Sequence, residues 1–390
     1  MALLLSAFLA GCGGGGSGEA GGAGSGTLGV SLTDAPACGF DAVNVTVTQV
    51  RAHQSNAAFD SDGGWSEITL SPARKINLLD LTNGELDFLG ETAVPAGHYT
   101  QLRLMLAANT GSSPVSNSVV LSSAPGTQIA LRTPSAVQSG LKVVHGFDVA
   151  AGQRVDLVLD FDACKSVVAL GNGGFLLKPV IKVIPTVLNG IKGFVAQGRN
   201  VMVTAQVDGT VVRSTSPNMM TGAFFLARLD PGNYAVVITA DGRATAVIDA
   251  VPVLTSTSVV AISTNAAPIN LPASATRTIS GAASLNPAST TDEAVSVAAK
   301  QTVGSGPPVT ATVKTQSAEL LSGDYTLTLP VGAPQFGRYV IGGTLPIPLV
   351  GQTAAAGQYA VEASATGYQS QSFTKNISTV NATQNFDLSP

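Results

Sequence analysis

Val201-Met202-Val203-Thr204-Ala205-Gln206-Val207-Asp208-Gly209 alternates with a period of two and ends in an Asp-Gly dipeptide. Successive side chains of a β-strand point to opposite faces, so Val201, Val203, Ala205 and Val207 share one face. Asp-Gly suits the two-residue hairpin turn in which both residues take positive φ. The stretch therefore predicts a strand that folds straight back on its neighbour. Phe224 and Leu226 alternate next, Pro231-Gly232 turns the chain into Tyr234, Val236 and Ile238, and Asp241-Gly242 turns it again. Residues 190–263 read as a small β-sandwich.

The same grammar runs in both directions from there. Upstream, Leu28, Val30 and Leu32 share one parity, as do Val43, Val45 and Val47, and Asp34-Ala35-Pro36 breaks the ladder between them. Asp60-Ser61-Asp62-Gly63-Gly64 is a turn signal before Trp65, and Gly97-His98-Tyr99 leads into Leu102, Leu104 and Leu106. Residues 75–84 suit either a strand or a short helical turn. These strands make a first β-rich domain over residues 27–186. Downstream, residues 264–276 read as a linker. Gly357-Gln358-Tyr359-Ala360-Val361 then repeats Gly232-Asn233-Tyr234-Ala235-Val236, and Ile279-Ser280-Gly281 matches Ile191-Lys192-Gly193. A second sandwich-like module over residues 277–390 is expected, with an insertion around 302–345 that includes Gly323-Asp324-Tyr325.

Composition agrees with an all-β fold of tandem β-sandwich modules. The 390 residues are rich in Val, Thr, Ser, Ala, Gly and Pro, aromatics are 5% and charged residues 11%. A net charge of −4 leaves no basic field to hold phosphates, so nucleic acid is not an expected partner. After residue 12 no run approaches the ~18 consecutive apolar residues of a membrane-spanning helix.

The N-terminus speaks to location. Residues 2–10 are a short apolar run, and Leu9-Ala10-Gly11-Cys12 places small residues directly before a cysteine. This resembles a bacterial lipoprotein signal, which implies removal of residues 1–11 and a lipid on Cys12. Contact with the membrane is then expected through the lipid alone. Gly13, where the resemblance would have Asp mark inner-membrane retention, implies the outer membrane. Residues 12–26, almost wholly Gly, Ser and Ala, form a flexible tether. With Cys12 lipidated, Cys38 and Cys164 remain, and in an exported chain they read as one disulfide or as two buried thiols.

Four motif groups carry a further resemblance. Gly29-Val30-Ser31-Leu32-Thr33-Asp34-Ala35-Pro36, Asp62-Gly63-Gly64-Trp65, Pro95-Ala96-Gly97-His98-Tyr99 and Leu159-Asp160-Phe161-Asp162-Ala163-Cys164, closed by Leu177-Lys178-Pro179-Val180-Ile181, resemble the bacterial domain of unknown function 4382. That resemblance implies a β-rich lipoprotein domain with no assigned catalytic residues. Residues 191–253 resemble the carboxypeptidase-regulatory, transthyretin-like sandwich through Gly193, Gly222-Ala223-Phe224, Leu229, Pro231-Gly232, Tyr234 and Gly242. The fold is grouped with carbohydrate-binding-like domains, a statement about fold alone.

Little in the chain points to catalysis. His53, His98 and His145 are dispersed, and neither a nucleophile elbow nor a phosphate loop occurs. Trp65, the one tryptophan, suits core packing better than a sugar platform. Asp60 and Asp62 suit a turn, because Gly64 and Trp65 stand where an EF-hand would continue its ligands. One acidic set is a metal candidate. Asp160 and Asp162 share a strand face, and a Cys38–Cys164 bridge would bring Asp34 near them. Their mutual repulsion calls for a cation, Ca²⁺ through hard oxygen ligands, or else they form a solvated strand face beside a turn-capping Asp34. No other cofactor is expected. The expected function is non-catalytic binding or scaffolding at the cell envelope, with a glycan or an envelope protein as ligand. The alternatives are an envelope enzyme with a dispersed site and a structural spacer.

Overall fold

Met202–Val207 forms the expected strand in the computed structural model, and Asp208 and Gly209 take φ of 49° and 75° in the turn to the antiparallel Thr210–Thr215. The structure describes residues 24–390 apart from 36–38, 112–114, 135–136, 138, 185, 187, 197, 291–292 and 305. Val203 and Ala205 are fully buried, as their parity requires. Thr204 and Gln206, on the opposite parity, are buried too, while Val207 is exposed beyond a register shift between Ala205 and Gln206. Both faces of this strand are covered. That is why the neighbouring Gly232–Thr239 reads as a continuous apolar run rather than a clean alternation.

The two sandwiches have the same strand order. In the first, Gly190–Phe194 lies between antiparallel Ala223–Ala227 and parallel Val259–Ala261, opposite a sheet ordered Thr210–Thr215, Met202–Val207, Gly232–Thr239, Ala246–Val253. In the second, Thr276–Leu285 lies between antiparallel Asp324–Pro330 and the parallel strands Ala382–Thr383 and Phe386–Leu388. Its facing sheet is ordered Val309–Ser317, Ser296–Val303, Gln358–Ser364, Gln371–Asn376. The shared Ile-x-Gly motif has a steric reason. A Cβ on Gly281 would lie 1.9 Å from the Gln384 carbonyl oxygen, and one on Gly193 2.7 Å from the Phe224 ring.

Two segments depart from the sequence reading. Residues 264–276 are not a linker, since Ile269 and Leu271 are buried in the second core and Ile269 exchanges backbone hydrogen bonds with Phe194 and Ala196. Its Pro and Asn residues end strands without releasing the chain from the core. The insertion of the last module crosses to its predecessor. Gln335–Arg338 pairs in parallel with Ala246–Val253, Val350–Gly351 pairs with Gln335–Arg338, and Ile347 joins the core formed around Ile191 and Val236.

The N-terminal domain is a two-sheet structure. Ser25–Ala35 lies between Asp87–Pro95 and parallel Arg154–Asp162, with Ile181–Ile184 at the edge. The facing sheet is centred on the 14-residue strand Phe40–His53. Leu28, Val30 and Leu32 meet Val43, Val45 and Val47 in the core between them, all almost fully buried. Residues 75–84 are strand and turn in succession, Ser66–Asn77 running into the 3-10 turn Leu78–Leu81. Strand pairing also begins inside the stretch read as tether. Ser25 and Gly26 pair with Pro95 and Val94, because backbone hydrogen bonding needs no side chain. Cys12 and the rest of the tether through residue 23 lie outside the described residues.

Four Gly-x-Tyr triplets open strands in all three modules, and each places a buried tyrosine. Tyr99 and Tyr234 donate their hydroxyls to the carbonyls four residues upstream, Pro95 at 2.9 Å and Asp230 at 2.6 Å. Tyr325 and Tyr359 donate to Gln384 and Pro330, both at 2.6 Å. In each case the ring fills core while its one polar atom ties a turn or a neighbouring strand. Tyr234→Phe and Tyr359→Phe should each cost about 1–2 kcal/mol in urea unfolding, since each strands a carbonyl that loses its donor. Burial pushes the Tyr325 phenol up to about 12 and raises those of Tyr359 and Tyr234, the last aided by Asp230. A proton held more tightly in the folded chain stabilises it only while the unfolded chain also keeps its own. Stability should therefore fall as pH rises from ~10, the unfolded tyrosine value, towards 12, as read by denaturant midpoints across that range.

Candidate functional site

The three modules meet around one cleft of about 1970 Å³, and two of the junctions are closed by a polar side chain inserted into the neighbour's backbone. Asn83, at positive φ in an Asn-Gly turn, leaves the N-terminal domain and enters the second module. Its Oδ1 accepts from Phe225 N–H at 3.1 Å and Thr215 Oγ1 at 2.8 Å, its Nδ2 donates to Ser216 O at 2.9 Å, and its own N–H donates to Thr215 Oγ1 at 3.0 Å. Gln206 does the same between the second and third modules. Its Oε1 accepts from Thr312 N–H and its Nε2 donates to Thr312 O, both at 2.8 Å, and a second bond from Nε2 reaches Thr204. An apolar layer of Ala235, Val237 and Val247 against Val303 and Ala311 continues that junction. The third contact joins first and last modules through Lys178 and Glu293 at 3.4 Å and the Leu320 N–H on Ala169 O at 3.1 Å.

The acidic set lies beside the first of these junctions. Asp160 and Asp162 do line one small hollow together, but the cation that meets them belongs to the protein. Arg213 of the second module places Nη1 2.5 Å from Asp160 Oδ2, with both side chains at most 10% exposed. Burial pushes the Asp160 carboxyl up, and the Arg213 guanidinium opposes that shift. Asp162 instead caps the short helix Ala163–Ser166, accepting from Lys165 N–H at 3.1 Å and Nζ at 2.8 Å. Asp34 is buried and accepts from Ala163 N–H at 3.1 Å. The structure thus gives Asp34, Asp160 and Asp162 partners within the protein. Each carboxylate has its own structural task, and among the described residues no group of three His, Cys, Asp or Glu could hold a metal ion. A second buried guanidinium, Arg228, lies close enough to feel the charge of Arg213, and its carbonyl accepts from Arg213 Nη2 at 3.4 Å. Burial and Arg213 together push the Arg228 guanidinium down.

The remaining candidates sort readily. Trp65 is half-buried, with the guanidinium carbons of Arg51 and Arg103 each 4.6 Å from its ring centroid and its Nε1 donating to Phe59 O at 3.1 Å, which is a packing role. Asp60 ion-pairs with Arg51 and Asp62 accepts from Phe59 N–H at 2.8 Å, both within the turn. His53 bridges Ser55 and Gly63, and His98 meets Asp148 at 2.7 Å on an exposed edge. His145 lies in the separate strand Leu141–Val149. Cys38 and the side chain of Cys164 fall outside the described residues. Sequence reasoning missed Arg213, Asn83 and Gln206. Their signals were a lone cation in Val211-Val212-Arg213, an Asn-Gly turn, and the polar Gln206 on the strand parity opposite Val203 and Ala205.

Comparison with known proteins places the N-terminal domain. Residues 25–179 match the family model of a domain of unknown function (DUF4382). The motifs had suggested 27–186. No curated protein matches the sequence significantly. Among solved structures, the chain is similar to the Bacillus anthracis TIE protein at 11% identity and a TM-score of 0.18, over 94% of this chain and 50% of that one. It therefore spans about half the length of that structure. A Streptococcal ancillary pilin matches at 12% identity and 0.18, over 94% and 99% of the two chains. Two B repeat units of the collagen binding protein of Staphylococcus aureus match at 11% and 0.18, over 94% and 98%. The all-β architecture rests on the strand pairing above.

Asp160→Ala should destabilise the junction by about 3–5 kcal/mol in urea unfolding, because it leaves a buried guanidinium without its carboxylate. Adding Arg213→Met to Asp160→Leu should recover most of that loss, since an apolar pair of similar volume replaces both charges.

Proposed function

We propose that this chain is a non-catalytic binding and scaffolding protein of the cell envelope, anchored through a lipid on Cys12. The observation that carries the reading is the way the modules meet. Asn83, Gln206 and the Asp160–Arg213 pair hold three β-modules around one cleft, and Asp160, singled out from the sequence, is engaged in that framework. Such a framework keeps a groove of fixed shape at the end of a tether, which suits holding a ligand or a partner. The anchor is supported by the apolar run and Leu9-Ala10-Gly11-Cys12, and outer-membrane placement by Gly13. Among the described residues no helix is long and apolar enough to cross a membrane. In an oxidising envelope Cys38 and Cys164 would form a disulfide, closing the end of Ser25–Ala35 against the helix after Arg154–Asp162. The ligand is a glycan or an envelope protein.

Labelled palmitate should enter the wild-type chain and not Cys12→Ser, with wild type fractionating to the outer membrane. Equal labelling of the variant would remove the anchor from this account. Peptide mapping without reductant should recover Cys38 joined to Cys164, and two free thiols in freshly isolated protein would exclude the bridge.

A further inference from the structure

The cleft is bordered by sheet edges. Val167–Ala169, Thr210–Thr215, Val309–Ser317 and Asp324–Pro330 are each the last strand of their sheet, and residues of all four line it. An edge strand carries backbone N–H and C=O groups that only another strand, water or a side chain can satisfy. Val309–Ser317 pairs with Ser296–Val303 alone among the described strands. Its register shows which way its groups point. The Ala318 N–H donates to Val295 O at 2.8 Å, and pairing alternates along an antiparallel ladder, so Ser317 and Thr315 direct their N–H and C=O away from Ser296–Val303. Thr312, further along, also points outward, and there Gln206 supplies the donor and acceptor that a neighbouring strand would supply. Residues 313–317 continue that edge for about 17 Å along the cleft.

We propose that the cleft takes an extended polypeptide segment of another protein, which adds as a strand to the edge at Thr315 and Ser317. This deepens the reading of the cleft as a binding site and rests on it. Three observations favour polypeptide over glycan. The outward groups are spaced for a β-ladder, which matches a peptide backbone and no sugar polymer. Among the described residues lining the cleft there is no Trp or Tyr to offer a flat face to a sugar ring, and Phe40 and Phe175 meet each other edge to face at 5.7 Å. The lining charges also come close to balancing, Lys165, Lys178, Arg243 and Lys314 against Asp41, Asp80, Asp162, Asp241 and Glu293. Lys165 is paired to Asp162 and Lys178 to Glu293, so no strong field of one sign competes with recognition by the backbone.

The test uses the full chain and two probes, fluorescently labelled, reduced and carboxymethylated α-lactalbumin as a permanently unfolded polypeptide, and chitohexaose as a glycan. The polypeptide should bind, and hydrogen exchange at the Thr315 and Ser317 amides should slow on binding. Thr315→Pro and Ser317→Pro each delete one outward N–H, a change tolerated at an open edge. Each should weaken binding about tenfold with the melting temperature unchanged. Unaltered exchange at both amides, or full affinity in a variant that keeps its melting temperature, would overturn the proposal. Chitohexaose binding without polypeptide binding would also overturn it while leaving the cleft a binding site. Binding of neither probe would overturn it together with that reading.

Discussion

A guanidinium removed from water must find a carboxylate, and in this chain Arg213 finds it on another module. The pair it makes with Asp160 at 2.5 Å ties the strand Arg154–Asp162 of the N-terminal domain to Thr210–Thr215 of the first sandwich. Neither partner is stable there alone, because each would be an uncompensated buried charge. The position of the first module relative to the second is therefore not a free variable. Asn83 and Thr215 depend on it, since their hydrogen bonds form only when the two modules meet in this way.

The same logic recurs at the second junction with neutral groups. Gln206 is fully buried, and its carboxamide oxygen is paired because Thr312 of the third module presents a backbone edge to it. Modules joined by short linkers usually move against one another unless their interface is large and well matched. Here the crossing segment around Gln335–Arg338 adds strand pairing to the side-chain bonds, so the last module's insertion is part of its neighbour's sheet. A cleft bounded by all three modules keeps its shape for these reasons.

Much of this architecture is legible in the sequence. Alternation at Val203 and Ala205, the Asp208-Gly209 turn and the paired Ile-x-Gly and Gly-x-Tyr motifs are local consequences of period-two geometry and turn chemistry. Whether a polar parity faces water or another module is a tertiary matter. Thr204 and Gln206 look like a solvated face until the third module covers them, and the Asp160–Asp162 face looks like a metal site until Arg213 arrives from 53 residues downstream of Asp160. The need for a cation there could be read from like charge alone, but not its source. Residues 264–276 show the converse error, where breaker residues mark strand ends inside a core and not a break between cores.

The central claim is that buried polar pairs fix the three modules as one body. Spin labels at Ser61→Cys and Thr379→Cys, exposed positions in the first and last modules, would report it directly through electron–electron distance measurements in solution. A single narrow distance distribution, broadened when Asp160→Ala is introduced, is the predicted result. A broad distribution in the otherwise wild-type chain, unchanged by Asp160→Ala, would contradict it.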